Sequence, residues 1–155
     1  RDGEIIQTGT PKEIITQPAD DFVKEFTQGI PKTKVIDIEH VVSKPDVVFS
    51  PTDSHELVRA KMEQANADYA IGIDPEKQYL GILCKDQLDA VVDHTIDIDS
   101  LIDSSIISVL PDTTLDEALN FLSDQNLPIP VVDESNAFIG VATQPDLLKV
   151  VANNL

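Results

Sequence analysis

Much of this sequence is written twice, and that repetition constrains it more than any other feature. Tyr79-Leu80-Gly81-Ile82-Leu83-Cys84-Lys85-Asp86-Gln87-Leu88 returns as Phe138-Ile139-Gly140-Val141-Ala142-Thr143-Gln144-Pro145-Asp146-Leu147, at a separation of 59. Further upstream Ile36-Asp37-Ile38 returns as Ile96-Asp97-Ile98, Pro51 as Pro111 and Asn66 as Asn126, all at a separation of 60. Asp74 returns as Asp133 at 59, so one residue is lost between Asn126 and Asp133. Self-similarity at a fixed period is read before any local feature, because it sets the unit of folding.

Within the second copy, Phe138 to Ala142 is an apolar run broken by Gly140, followed by Thr-Gln-Pro-Asp and another apolar run. The pattern predicts a buried strand, a short turn and the start of a helix. Thr143 suits the N-cap, and Pro145 fits the first turn, where a missing N–H costs nothing. Asp146 stands at the capping-box spacing, with Asp in place of Glu. A helix N-terminus also attracts anions through its free N–H groups and its dipole. The same atoms therefore suit a phosphate, with Asp146 accepting from ribose hydroxyls, and they suit an ordinary helix cap.

The chain has 155 residues and a formal net charge of −17, from 28 acidic and 11 basic residues. That balance argues against nucleic acid, whose binding rests on Lys and Arg neutralising phosphates, and against adsorption to an anionic membrane. Apolar residues make up 41%, enough for a core, and no run has the length of a membrane span. The polar start, Arg1-Asp2-Gly3-Glu4, has neither a signal peptide nor an initiator Met and reads as the middle of a longer protein. The single Cys84 leaves no internal disulfide and fits a reducing compartment. Its apolar surroundings make it a small core residue.

Residues 1–30 belong to neither copy. Asp2-Gly3 signals a tight turn into a short strand, Glu4-Ile5-Ile6-Gln7. Thr10-Pro11-Lys12-Glu13 is a complete capping box with Pro at the first helical position. Phe22, Val23 and Phe26 mark one face of a second helix, ended by Gly29 and Pro31. The pattern Arg-Asp-Gly-Glu-Ile-x-Gln-x-Gly-Thr-Pro-x-Glu-Ile resembles the region after the last catalytic motif of ABC-transporter ATPases. The continuation from Pro18 to Phe26 is similar to the subfamily that imports glycine betaine, proline and related osmoprotectants. The resemblance implies that residues 1–30 are the C-terminal tail of an ATPase domain whose catalytic elements lie upstream. None of the six glycines is followed by Lys, so the chain has no P-loop, and no Ser-His-Asp or Cys-His arrangement can be argued. We therefore expect no enzyme here. Ile5, Ile6, Ile14, Phe22 and Phe26 are expected to dock on a repeat or a second chain, or to be mobile.

In the first copy, Val47-Val48-Phe49 reads as a strand, and Leu57, Val58, Met62 and Ala65 as a helix face. Tyr69–Ile73 and Tyr79–Leu83 read as strands, and Asp86–Val92 as a helix. The second copy gives a strand at Ile106–Val109 and a helix carrying Leu115, Ala118, Leu119 and Leu122. Strands at Pro130–Val132 and Phe138–Ala142 and a helix from Pro145 to Val151 complete it. A strand–helix–strand–strand–helix unit, present twice, with Gly-apolar-apolar-Thr-x-x-Asp near its end, resembles the CBS domain. The fold class is thus α/β (α+β), a CBS pair with repeat 1 at residues 35–92 and repeat 2 at 95–152. The second copy fits the pattern. The first has Cys84 for Thr and Gln87 for Asp, and neither does the same job: the thiol is a weak hydrogen-bonding group and the amide carries no charge.

The resemblance implies a regulatory module that takes an adenine nucleotide, AMP or ATP, or cyclic di-AMP. It also implies a homodimer through the CBS helices, attached to the ATPase domain and membrane subunits of an osmoprotectant importer. The location would be cytoplasmic, at the inner face of the plasma membrane. For the second cleft we expect adenine against the backbone near Ile106, Ile107 and Val109, faced by Ile129 and Pro130. Asp146 would accept from ribose, and Thr143 would help hold a phosphate with Lys149 or Arg59. Asp93, Asp97, Asp99 and Asp103 lack the Gly and Glu of a calcium loop and read as a solvated linker. His40, His55 and His94 are scattered, so no metal is expected. A competing reading is a ligand-free dimerisation module, whose strong charge responds to ionic strength through screening.

Overall fold

The computed structural model describes residues 3–92, 95–122 and 127–153. Two short helices come first, α1 (Pro11–Thr16) and α2 (Asp21–Thr27). The first copy forms β1 (Val48–Phe49), α3 (His55–Ala65), β2 (Tyr69–Ile73), β3 (Tyr79–Cys84) and α4 (Lys85–Ala90). The second forms α5 (Leu115–Leu122), β4 (Ile129–Val132), β5 (Phe138–Ala142) and α6 (Gln144–Asn153). Each copy is preceded by a lead-in with one 3-10 turn, Ile38–Val41 or Ile98–Leu101.

The helix starts follow the capping chemistry. Thr10 Oγ1 accepts from Glu13 N at 3.2 Å, and Glu13 Oε2 accepts from Thr10 N at 2.8 Å, the full capping box. Asp20 and Ser54 accept from the third residue of α2 and α3. In α3 the buried face is His55, Val58 and Met62, while Leu57 and Ala65 are exposed, contrary to their expected place on the core face. The strand expected at Glu4–Gln7 does not form: Ile5 is 79% exposed, and no strand pairs with this stretch among the described residues. Instead the Gln7 side chain donates to Gln17 O and accepts from Ala19 N. Asp2, half of the expected turn, lies outside the described residues, as do Asp93, His94 and Asn126.

The first sheet runs β1-β2-β3, with β1 parallel and β3 antiparallel to β2; the second is the antiparallel pair β4–β5. Their registers match: Ala70 faces Leu83 as Ile129 faces Ala142, and both ladders shift at equivalent points, Gly72/Ile73 and Val131/Val132. The expected strand at Ile106–Val109 shrinks to one parallel bridge, Val109 to Val131. The reason is Pro130. In the first copy Ile71 N donates to Val47 O at 2.9 Å and adds a rung to β1. Pro130 occupies the position of Ile71 and has no N–H to donate.

The two lobes exchange their lead-ins. Ile36, Ile38 and Val41, which open the first copy, pack with Leu115, Leu122, Val131 and Leu147 of the second. Ile98, with Leu101 and Ile102, packs among Val47, Phe49, Val58, Met62 and Leu88 of the first. Between the lobes lies a third cluster, Ile71, Tyr79, Ile82, Ile106, Val132 and Val141. Tyr79 N donates to Asn136 O and Phe138 N to Lys77 O, two bonds related by the repeat, and the Tyr79 and Phe138 rings stack at 6.2 Å.

The glycine of each repeat makes the exchange possible. A Cβ on Gly140 would strike Val42 and come within 2.7 Å of Ser43 O; one on Gly81 would strike Ile102 and come within 2.7 Å of Asp103 O. These contacts accompany antiparallel bridges, Ser43 with Val141 and Asp103 with Ile82. The N-terminal helices lean on the second lobe: Lys12 bonds Asp37 at 2.7 Å, and Ile15 and Val23 are buried. A cavity of about 1250 Å³ remains beneath them, lined in part by Thr27, Ile36, Leu115 and Val150. Phe22 and Phe26 face away, 47% and 80% exposed.

Candidate functional site

β5 delivers Thr143 to the N-terminus of α6, where the expected cap forms. Thr143 Oγ1 accepts from Asp146 N at 3.3 Å and donates to Asp146 Oδ2 at 2.5 Å. The short Asp side chain thus meets the threonine hydroxyl instead of the backbone N–H that a Glu would reach. A second hydroxyl meets the same oxygen: Ser43 Oγ lies 3.3 Å from Asp146 Oδ2 and 3.4 Å from Val141 O. The bridge to Val141 places Ser43 there, with N–H···O distances of 2.9 and 3.0 Å. Both Thr143 and Asp146 are half-buried.

The first copy feels this helix start at Tyr69. The Tyr69 phenol is pushed above its ordinary pKa, by burial first and then by the negative charges of Asp46 and Asp146. The charges of Asp46 and of Asp146, from different copies, are thus both felt at the Tyr69 phenol. The start of α6 thus carries one carboxylate bonded by two hydroxyls, with the Tyr69 phenol within reach of its charge.

Most of the residues expected to offer their backbone to adenine have buried side chains. Ile106 is 6% exposed in the cluster between the lobes; Val109 and Ile129 belong to the second core, and Pro130 is buried in β4. Of this set only Ile107 is open, 61% exposed. Lys149 is exposed on α6, three residues beyond Asp146 and so on the same side of the helix. Arg59 is committed to α4, its Nε on Asp89 Oδ1 at 3.3 Å and its Nη2 donating to Leu88 O at 3.0 Å. Sequence reasoning missed Ser43, Asp46 and Tyr69. Their counterparts by repeat position are Asp103, Ile106 and Pro128, so the self-alignment gave no signal at these sites.

The equivalent place in the first copy is built differently. Gln87 Oε1 accepts from Cys84 N at 3.3 Å, folding the amide back on the helix start. Asp103, at the position of Ser43, accepts from Ser105 N at 2.9 Å and Ser105 Oγ at 2.5 Å, and these bonds lower its pKa. Burial and then the charges of Asp103 and Asp86 push the Cys84 thiol up, which favours the thiol over the thiolate. Among the described residues no group of three or more His, Cys, Asp or Glu is arranged to hold a metal ion, and no helix is long and apolar enough to cross a membrane.

The CBS domain family matches residues 97–153. The glycine betaine transport ATP-binding protein OpuAA of Bacillus subtilis is 25% identical over 154 residues, 99% of this chain and 37% of the relative. The glycine betaine/carnitine transport ATP-binding protein GbuA of Listeria monocytogenes is 23% identical over 155 residues, 99% of this chain and 39% of the relative. The chain thus spans about two-fifths of the length of these relatives. Among solved structures, Staphylococcus aureus OpuCA superposes with a TM-score of 0.67 at 19% identity, over 75% of this chain and 99% of that one. CbpB in complex with c-di-AMP superposes with a TM-score of 0.70 at 20% identity, over 84% and 91%.

Proposed function

From a chain that carries a CBS domain at residues 97–153 and folds as CBS pairs do, we propose a regulatory module that senses an adenine nucleotide in the cleft at Asp146. One observation carries this reading. The Asp146 carboxylate, at a helix start, is bonded through Oδ2 by two hydroxyls, of Thr143 and Ser43. Ribose hydroxyls present the same donor chemistry. Tyr69 offers the flat apolar face that a base stacks on, and the start of α6 offers N–H groups to a phosphate.

The ligand class is AMP or ATP, or cyclic di-AMP, the molecule that CbpB holds. The likeness to OpuAA and GbuA supports placing the module in the ATPase subunit of an osmoprotectant importer, with residues 1–30 as the tail of the ATPase domain. Its partners would then be a second copy, that ATPase domain and the membrane subunits, on the cytoplasmic face. The folded units in that proposal are residues 35–92 and 95–152, each completed by the other's lead-in. In this reading the catalytic work belongs to the upstream domain. The negative charges of Asp46 and Asp146, both felt at Tyr69, favour a ligand that brings its own counter-ion or carries little charge at this point. The ligand-free dimerisation reading rests instead on the chain's net charge of −17, which responds to ionic strength through screening. Calorimetry of the 155-residue chain against AMP, ADP, ATP and cyclic di-AMP tests the choice. Saturable binding of at least one is expected, and no heat at millimolar ligand leaves the dimerisation module in its place.

A further inference from the structure

The Asp146 carboxylate is linked through a continuous set of contacts to the N-terminal helix pair. Ser43, whose hydroxyl meets Asp146, ends a strap formed by residues 36–43. The strap is pinned at both ends to the second lobe. At its start Ile38 N donates to Thr113 O at 2.7 Å and Leu115 N to Ile36 O at 2.9 Å; at its end Ser43 exchanges both backbone bonds with Val141. Between them the turn Ile38–Val41 is anchored by two buried side chains, Ile38 and Val41. Lys12 of α1 grips the start of the strap through Asp37 at 2.7 Å, with Glu39 at 3.8 Å. Gly140 lets the strap lie directly on β5, without a side chain between them to absorb a shift.

We infer that this strap carries the state of the cleft to the N-terminal helices, with Ser43 as the positioning residue at one end and Lys12 at the other. The inference rests on the reading of the cleft given above. Ligand hydroxyls that bond Asp146 compete with Ser43 for the same oxygen, so occupancy releases or re-seats the Ser43 hydroxyl. Close packing makes such an element shift as a body instead of bending gradually. A shift at Ser43 is then felt at Asp37, and through Lys12 at α1. The response is reciprocal: whatever holds α1 alters affinity at Asp146 by the same factor.

The test is amide chemical-shift mapping of the 155-residue chain titrated with AMP, ATP and cyclic di-AMP in turn. In the wild type, the ligand that binds should shift residues 36–43 and also residues 11–16. Lys12→Ala lies outside the cleft; it should bind within about twofold of wild type and keep the strap shifts while losing those in α1. Ser43→Ala at saturating ligand should lose both sets. Binding that leaves residues 36–43 unmoved overturns the strap and spares the nucleotide reading, as does an α1 response that survives Lys12→Ala. Absence of binding by all three ligands overturns the nucleotide reading, and the strap's role with it.

Discussion

Ser43 and Asp103 occupy equivalent places, each bridged to the last strand of the opposite repeat and each pressed against a glycine there. At one place stands a hydroxyl and at the other a carboxylate. The helix starts differ in the reverse sense: Thr143 and Asp146 in the second copy, Cys84 and Gln87 in the first. The acid has in effect moved from the helix to the strap. On α6 the carboxylate stands at the positive end of the helix dipole beside the hydroxyls of Thr143 and Ser43. On the first lobe Asp103 is already held by Ser105, and Gln87 is folded back on Cys84. Glycine contacts and ladder bonds keep the backbone symmetric, because any side chain there collides. The positions that point into the clefts carry no such restriction, and there the copies have diverged.

The largest expected effect breaks the symmetric part. Gly81→Ala meets Ile102 and the Asp103 backbone and also stands at φ +150°, whereas Gly140→Ala meets only the packing conflict. Overpacking costs about 1–3 kcal/mol, and a strained backbone adds about 1–3 more. Urea unfolding should therefore show both variants weakened and Gly81→Ala the more so; equal losses would deny the role of φ.

Next comes the chemical difference between the clefts. Asp146→Ala should weaken the nucleotide that binds by tenfold or more, for a lost charged hydrogen bond of about 1.5–3 kcal/mol, with Gln87→Ala close to wild type. Calorimetry in which both variants bind alike would place the ligand elsewhere, for instance across a dimer axis. The converse set, Cys84→Thr, Gln87→Asp and Asp103→Ser together, should raise the stoichiometry from one ligand per chain to two.

A smaller effect lies on the axis between the lobes. Tyr79 stacks on its counterpart Phe138, but its hydroxyl is buried without a hydrogen-bond partner. Tyr79→Phe, which copies the other repeat, should stabilise the fold by about 1 kcal/mol. Burial, helped by the charge of Asp103, raises the folded phenol well above its ordinary value of 10.0. The folded chain therefore keeps a proton that the unfolded chain releases, and stability contributed by this group is intact below pH 10 and falls as pH rises beyond it. Unfolding curves at alkaline pH should flatten in Tyr79→Phe, and an unchanged slope would remove Tyr79 as the cause.

The smallest contrast is between the caps. Thr143→Ala should lower stability by about 1 kcal/mol, and Cys84→Ala by less, because a thiol caps weakly. Thermal melts of the two variants measure the difference directly.

The repeat, the Thr10 capping box, β2, β5 and the buried run of α5 were legible in the sequence. Each depends on residues near one another in the chain, where period and cap chemistry act locally. Thr143 and Asp146 were legible for the same reason, three residues apart on one helix start. The missing rung of the Ile106–Val109 strand was not, although Pro130 stood in plain view. Its effect appears only once β4 is known to pair with that stretch. The strand expected at Glu4–Gln7 failed for want of a partner, which no local pattern can supply. Ser43 was beyond local reading, because it reaches Asp146 only through the exchange of lead-ins between lobes. That exchange is a long-range packing choice, made by Ile36, Ile38 and Val41 burying against the second copy's core. The sequence alone determined that there are two similar units and which helix start keeps its acid. Tertiary structure decided which residues of the other unit face that acid, since burial is settled between distant segments and leaves no period behind.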